Sequence, residues 1–293
     1  MILVTGATGT VGREVVRGLP EGLRVRAMTR NPAKAAGMFP GTQPVAGDFT
    51  DAQSLARALE GVHAAFLLTT RADVEDDARF LSAAHTAGVR RVVKLSAAAV
   101  LDTRADDLIT RWQRANEEQL RASGMRWTLL RPRAFMSNSL SWAASVRSER
   151  TVRALYGMSP NACVDPRDIA EAAVRALTED GHAGHAYTLT GPQALTAVDQ
   201  THELARLLGT PLRFEELTPD ETRAALNDRY PPQVVEALLA SAERQRAGAK
   251  AYVEDTVRKL TGRPARTFGQ WAQDHIGAFT PAPDEAGTRR GTA

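Results

Sequence analysis

Through the first half of the chain, short apolar runs alternate with longer amphipathic segments, in the rhythm of βαβ units. Residues 2–5 are apolar and β-branched, which predicts a strand. From 11 to 19, Val11, Val15, Val16 and Leu19 fall on one helical face, and Pro20 ends the segment. Residues 24–29 alternate, with Val25 and Ala27 set against Arg24 and Arg26, and the Arg-Asn-Pro that follows turns the chain. A short strand at 45–47 leads into a helix over 51–59. Residues 64–70 form an almost unbroken apolar run of the kind buried on both faces. A helix at 74–87, a strand at 91–96, a helix at 107–123 and a strand at 126–131 complete the series. Six parallel strands with crossover helices predict an α/β fold, a doubly wound parallel sheet.

Past Arg131 the rhythm breaks. "VDPRDIAEAAVRAL" predicts a helix introduced by Asp-Pro, and residues 186–190 a strand ending in "TGP". Residues 197–208 and 219–260 read as helical, the second interrupted near "YPP". The expected organisation is a sheet domain of residues 1–136 plus about 163–190, and a smaller, mainly α lobe of 137–162 plus 191–280. The Pro/Gly-rich residues 281–293 read as a disordered tail.

Composition narrows the classes. The chain has 293 residues, 43% of them hydrophobic, and a net charge of +3 without any concentrated basic stripe, so nucleic acid is not an expected partner. No apolar run reaches membrane-spanning length and no leader pattern opens the chain, which predicts a cytoplasmic protein with no membrane partner. One cysteine, Cys163, excludes an internal disulfide and reads as a small buried residue. The histidines at 63, 85, 182, 185, 202 and 275 have no metal-ligand spacing, so no metal is expected. Asp168 reads as a structural acid in a first helical turn.

The chemistry begins with "VTGATGTVGREVV". Gly6, Gly9 and Gly12 are spaced GxxGxxG between a predicted strand and a predicted helix. A dinucleotide pyrophosphate needs that combination: a tight turn, close backbone approach and a helix N-terminus facing the phosphates. An NAD site places an acid roughly 20 residues on, at the end of the second strand. Here Arg30 stands 24 positions past Gly6, with Lys34 close behind. A guanidinium pairs with a ribose 2′-phosphate in two-pronged fashion, so the pattern favours NADP(H); the plainer role for Arg30 is solvating a strand end. Asp48 in "GDFTD" is placed to accept from the adenine amine, while Thr50 or Asp51 caps the next helix. Thr69 and Thr70 end the fourth strand at the edge where ligands bind.

Together these stretches, with "VVKLSA", "SGMRWTLLRPRAFMSN", "YTLTGP" and "TGRPARTFGQWAQDH", resemble the NmrA-like branch of the atypical short-chain dehydrogenase/reductases, from residue 1 to about 280. The resemblance implies a Rossmann domain binding NADP(H) and a C-terminal lobe closing over a cleft. It matches Gly6, Thr8, Gly9, Thr10, Val11 and Gly12 to the phosphate loop, and Arg30, supported by Lys34, to the 2′-phosphate. Asp48 and Phe49 match adenine-side positions, Leu68 and Thr69 the fourth-strand contacts, and Lys94 to Ser96 the fifth-strand edge. The segment 131–138, with Pro132, matches the stretch that crosses the nicotinamide. Family members include quinone and dye reductases, polyketide tailoring enzymes of antibiotic biosynthesis, and NADP sensors without turnover.

One departure restricts the chemistry. Standard short-chain dehydrogenases carry Tyr-x-x-x-Lys on the helix after strand five, the tyrosine as acid and the lysine lowering its pKa. Here "DDLITRWQRANEEQLRASG" has neither, and Trp112 and Asn116 hold that spacing. An indole and an amide are no substitute for an acid–base pair. An electron-poor acceptor takes hydride without a protein acid, provided it is well positioned. The expectation is therefore an NADPH-dependent reductase of a quinone or similar aromatic, in the cytoplasm. The catalytic group is unassigned, with Ser96 and Lys94 as candidates. Phe135, Met136, Asn138, Trp142, Tyr156 and Trp112 are expected to line the substrate site, with core packing the plainer role for the aromatics. The alternative is an NADP(H)-sensing regulator. A monooxygenase-like partner or a homo-oligomer fits the same resemblance.

Overall fold

The computed structural model describes residues 1–72 and 74–281. They fall into two compact units. The first comprises Met1–Arg133, Pro166–Thr190 and Glu254–Ala265; the second comprises Ala134–Asp165, Gly191–Val253 and the chain from Arg266 on. Apart from Pro281, the expected tail at 281–293 lies outside the described residues.

The first unit runs β1 (Ile2–Val4), α1 (Gly12–Gly18), β2 (Val25–Thr29), α2 (Pro32–Met38), β3 (Gln43–Ala46), α3 (Ala52–Leu59), β4 (Ala64–Leu67), α4 (Val74–Thr86), β5 (Arg91–Leu95), α5 (Leu108–Ala122) and β6 (Arg126–Pro132). The chain crosses the second unit as α6 (Ala143–Glu149) and β7 (Thr151–Leu155), then returns as α7 (Pro166–Thr178) and β8 (His185–Leu189). Among the described residues the sheet has seven strands in the order β3-β2-β1-β4-β5-β6-β8, all parallel. This is the predicted doubly wound α/β sheet, with β8 added beyond β6. Strand order reverses between β1 and β4, and such switch points open a crevice at the carboxyl ends of the strands.

Burial explains the strand sequences. β1 and β4 are covered by helices on both faces and every one of their residues is buried, so they read as unbroken apolar runs. β3 is an edge strand, half-exposed, and tolerates Pro44 for that reason. On one face Leu55, Leu59, Phe80, Leu81 and Leu120 pack against Leu3, Leu67, Val92 and Leu129. Two arginines in strands close off helix ends. Arg26 in β2 is buried, and its guanidinium donates to the Ala58 and Glu60 carbonyls at 2.7 and 2.9 Å where α3 ends. Arg91 in β5 does the same for α7, donating to Leu177 and Glu179 at 2.9 and 2.8 Å. Each satisfies carbonyls that a helix C-terminus leaves unpaired.

The structure corrects three expectations. The Arg-Asn-Pro turn starts a helix: the Asn31 side chain caps the Lys34 amide at 3.1 Å and Pro32 occupies the first turn of α2. The helical stretch at 219–260 is divided into α9 (Pro219–Asn227), α10 (Pro232–Arg246) and α11 (Thr256–Thr261). The segment carrying α11 packs in the first unit, where Arg263 bonds Asp168 at 2.8 Å and also Glu171 on α7. Buried Asp168 therefore anchors this segment.

The second unit contains α8 (Ala197–Leu208), β9 (Arg213–Leu217) and α12 (Phe268–Asp274) besides α6, α9 and α10, and its two strands β7 and β9 pair in parallel. Neither strand was predicted, because "TVRAL" and "RFEEL" carry charges that pair across the ladder, Arg153 to Glu215 at 2.6 Å. Its core gathers Met136, Val146, Val152, Leu204, Phe268, Trp271 and Phe279.

Replacing Arg26 by Met should lower stability by about 1–3 kcal/mol, the cost of leaving buried helix-end carbonyls unpaired. Urea unfolding of the variant against wild type measures this.

Candidate functional site

The crevice is set by a close approach at the first βα turn. Gly6 leaves β1 at φ +60° and the Gly9 amide closes the turn on the Gly6 carbonyl at 2.9 Å. α1 begins at Gly12 with no side-chain cap. A side chain at Gly12 would place its Cβ 2.7 Å from the Gly6 carbonyl carbon and closer still to its oxygen, so only glycine fits. A Cβ on Gly6 would press on Leu68 at 3.1 Å, on top of its left-handed backbone. Val11 is buried, whereas Gly9 and Thr10 are exposed and Thr8 half-exposed, leaving the turn's backbone open to an anion. Thr5 fixes the crevice floor: its hydroxyl donates to the Leu68 carbonyl at 3.1 Å and accepts from the Leu68 amide at 2.7 Å, joining the ends of β1 and β4.

At the end of β2, Arg30 is exposed and has no ion-pair partner among the described residues; Lys34 is exposed nearby. Asp48 follows β3. Bonds from the Thr50 amide at 2.8 Å and hydroxyl at 2.7 Å hold its carboxyl below its usual value, and the charges of Arg71 and Arg30 act in the same sense. Asp51, not Thr50, caps α3.

These features fit NADP(H): a cradle that a Cβ would fill leaves backbone open to an anion, and an exposed arginine without an ion-pair partner among the described residues follows β2. Residues 6–180 match the family model described as NAD(P)H-binding. The chain belongs to this NAD(P)H-binding family. It is 55% identical to a (4-alkanoyl-5-oxo-2,5-dihydrofuran-3-yl)methyl phosphate reductase from Streptomyces griseus, with 96% of this chain and 100% of that one covered. It is 38% identical to an NAD(P)H azoreductase from Xenophilus azovorans, at 96% and 100% coverage. Among solved structures it is similar to the NADPH complex of the quinone oxidoreductase QOR2 from Escherichia coli, with 28% identity, a TM-score of 0.81 and coverage of 94% and 99%. This NAD(P)H-binding protein is an oxidoreductase that uses NADP(H).

Several expected site residues are committed elsewhere. Lys94 is fully buried, with its Nζ 2.6 Å from the equally buried Asp77 of α4 and near the ring of Trp112. The Thr69 hydroxyl donates to the same Asp77 at 2.7 Å. Lys94 and Thr69 thus bind α4 to the sheet, and neither presents its polar atom to a cofactor. Trp112 is buried beside Lys94, so its ring is packing and not substrate lining. Ser96 donates to Glu117 at 2.6 Å, and Arg131 grips that carboxylate at 2.8 and 2.5 Å. Burial pushes the Glu117 carboxyl up, but hydrogen bonds from Arg131 and Ser96 and the charges of Arg131 and Arg121 outweigh it and hold the group below its usual value. Glu117 is therefore an ionised strut, and the Ser96 hydroxyl proton is engaged on it. Phe49 packs edge-on to Phe80, and Pro132 is buried within β6.

The substrate candidates of the second unit divide similarly. Met136 is 2% exposed in the core, and Trp142 packs against that core. Tyr156 bonds Glu243 beneath the Arg246 guanidinium. Phe135 is half-buried, and Asn138 is exposed. Burial drives the Cys163 thiol up to about 11, as expected of an unreactive cysteine.

Asp77 and Glu117 are the residues that sequence reasoning missed. Both stand in the apolar stripe of an amphipathic helix: Asp77 precedes Phe80, Leu81 and Ala84 on α4, and Glu117 precedes Leu120 on α5. A carboxylate inside a buried stripe is the signal that predicts a buried cation opposite.

Asp77→Asn should cost about 3–5 kcal/mol because it strands the Lys94 charge, and pairing it with Lys94→Met should recover much of that loss. Denaturant unfolding of the three proteins measures it. Arg30→Ala should weaken NADPH binding about 10- to 100-fold while leaving NADH unchanged, as loss of charge-assisted bonds to one phosphate requires. Titrations with the two nucleotides decide whether Arg30 reads the 2′-phosphate.

Proposed function

We infer that this oxidoreductase reduces the ring double bond of a (4-acyl-5-oxo-2,5-dihydrofuran-3-yl)methyl phosphate. The observation that carries this is identity of 55%, over 96% of this chain and all of its relative, to a reductase named for that substrate class, on a chain whose α5 has neither tyrosine nor lysine. The two facts agree chemically. Bound NADPH supplies a hydride. Added at the ring carbon that bears the phosphomethyl group, it sends the double-bond electron pair onto the neighbouring carbon. There the lactone and acyl carbonyls share the charge as a stabilised enolate, which takes its proton from water.

Such a substrate carries its own electron sink, so the protein supplies position instead of acid catalysis. Trp112 and Asn116 donate no proton, and Glu117 is held ionised by Arg131. The Ser96–Glu117–Arg131 chain makes the carboxyl ends of β5 and β6 stiff, with the Ser96 amide bonded to the Leu130 carbonyl at 2.7 Å. Quinones share the same electronic logic and are the second substrate class, favoured by 29% identity to quinone oxidoreductase 2 of E. coli.

The purified protein should oxidise NADPH with the acylbutenolide phosphate at a kcat/KM well above that for simple benzoquinones. With NADPH deuterated at the transferable position, deuterium should appear at the carbon bearing the phosphomethyl group. Preference for quinones, or label elsewhere, overturns this assignment.

A further inference from the structure

Most of the buried and half-buried arginines of the first unit are held by the protein. Arg26 and Arg114 donate to backbone carbonyls, Arg91 to carbonyls and to Asp180, and Arg131 and Arg263 to carboxylates. Arg133 differs from these. It directly follows β6 at the carboxyl edge of the sheet, and its amide is fixed on the Leu189 carbonyl at 2.9 Å. Its Nε is buried with no hydrogen-bond partner, and its guanidinium makes no ion pair or hydrogen bond with any described residue. Burial pushes the guanidinium pKa down, while the charges of Glu254 and Asp102 partly offset this. Both acids are held by other groups. The Glu254 carboxylate accepts from the Thr256 hydroxyl at 3.2 Å, and Asp102 accepts from the Arg104 amide at 3.0 Å. A desolvated, unpaired guanidinium is costly unless an anion completes it.

We propose that Arg133 is the ligand of the substrate's phosphate group, and so sets the enzyme's preference for phosphorylated over free hydroxymethyl acceptors. The planar fork of an arginine matches a phosphate monoester dianion. The position suits the role: β6 ends at the same edge as Ser96 and Arg131, several strands away from Arg30. This proposal rests on the acylbutenolide phosphate as substrate, and its test is arranged so that the two can fail separately.

The turnover assays use saturating NADPH and the calorimetry uses protein saturated with NADP+, so that the nucleotide's own anion sites are filled in every assay. Wild type, Arg133→Gln and Arg133→Lys are compared in three assays: turnover of the acylbutenolide phosphate, turnover of its dephosphorylated analogue, and calorimetric binding of phenyl phosphate. Arg133→Gln should lower kcat/KM for the phosphate ester about 10- to 100-fold, mostly through KM, and leave the analogue unchanged. Phenyl phosphate should bind wild type, bind Arg133→Lys more weakly and not bind Arg133→Gln, with NADPH affinity equal in all three. An equal loss on both substrates assigns Arg133 to structure and overturns the proposal. So does a fall in NADPH affinity, because the anion would then be the cofactor's. So does undiminished turnover of the phosphate ester. If wild type reduces no acylbutenolide yet phenyl phosphate binding depends on Arg133, the substrate assignment fails while the anion site stands.

Discussion

The distance between two glycines governs this molecule. The first turn of α1 lies so close on the backbone leaving β1 that the Gly6 carbonyl occupies the space a side chain at Gly12 would need. Moving α1 outward by one methyl group would widen the turn and lift its amides away from any phosphate. It would also disturb the crevice floor, where Thr5 holds the end of β4 through two bonds to Leu68. The affinity for a dinucleotide is thus a consequence of backbone packing, and the side chains around it refine which dinucleotide is held.

Farther along the same edge the controlling interactions are paired charges. Lys94 and Asp77 are wholly buried, and Glu117 is bound by Ser96 and Arg131. Buried pairs of this kind add little net stability, but removing one partner is expensive, so they fix geometry strictly. They also consume the groups that would otherwise be free to move protons. A rigid edge without a free acid is suited to acceptors that stabilise negative charge themselves, and the missing Tyr-x-x-x-Lys and the buried charge pairs are two aspects of one design.

Much of this was legible in the sequence because the relevant signals are local. Glycine spacing between a strand and a helix, apolar runs of strand length and the arginine after β2 each report on neighbours within one βα unit. What was hidden depends on partners distant in sequence. Lys94 seemed available for a cofactor because its partner is Asp77, on another element, and Met136 seemed available for substrate because its core includes Trp271. Asn31 and Pro32 were a miss of another sort, since cap and first-turn chemistry was present but taken for a plain turn.

Arg30 and Arg133 show how the same residue type acquires different meaning from its place in the sheet. One follows β2 and the other β6, four strand spacings apart, which is about 19 Å. The strands they follow are far apart, and on the reading proposed above the two arginines answer to different anions. Arg30 is exposed, and an exposed guanidinium costs little when it has no partner. Arg133 is partly desolvated, with its Nε buried and unbonded, so an empty site is penalised more than at Arg30. The buried arginine is therefore the more discriminating of the two. It lies at the end of the sheet where the standard catalytic tyrosine and lysine have been replaced.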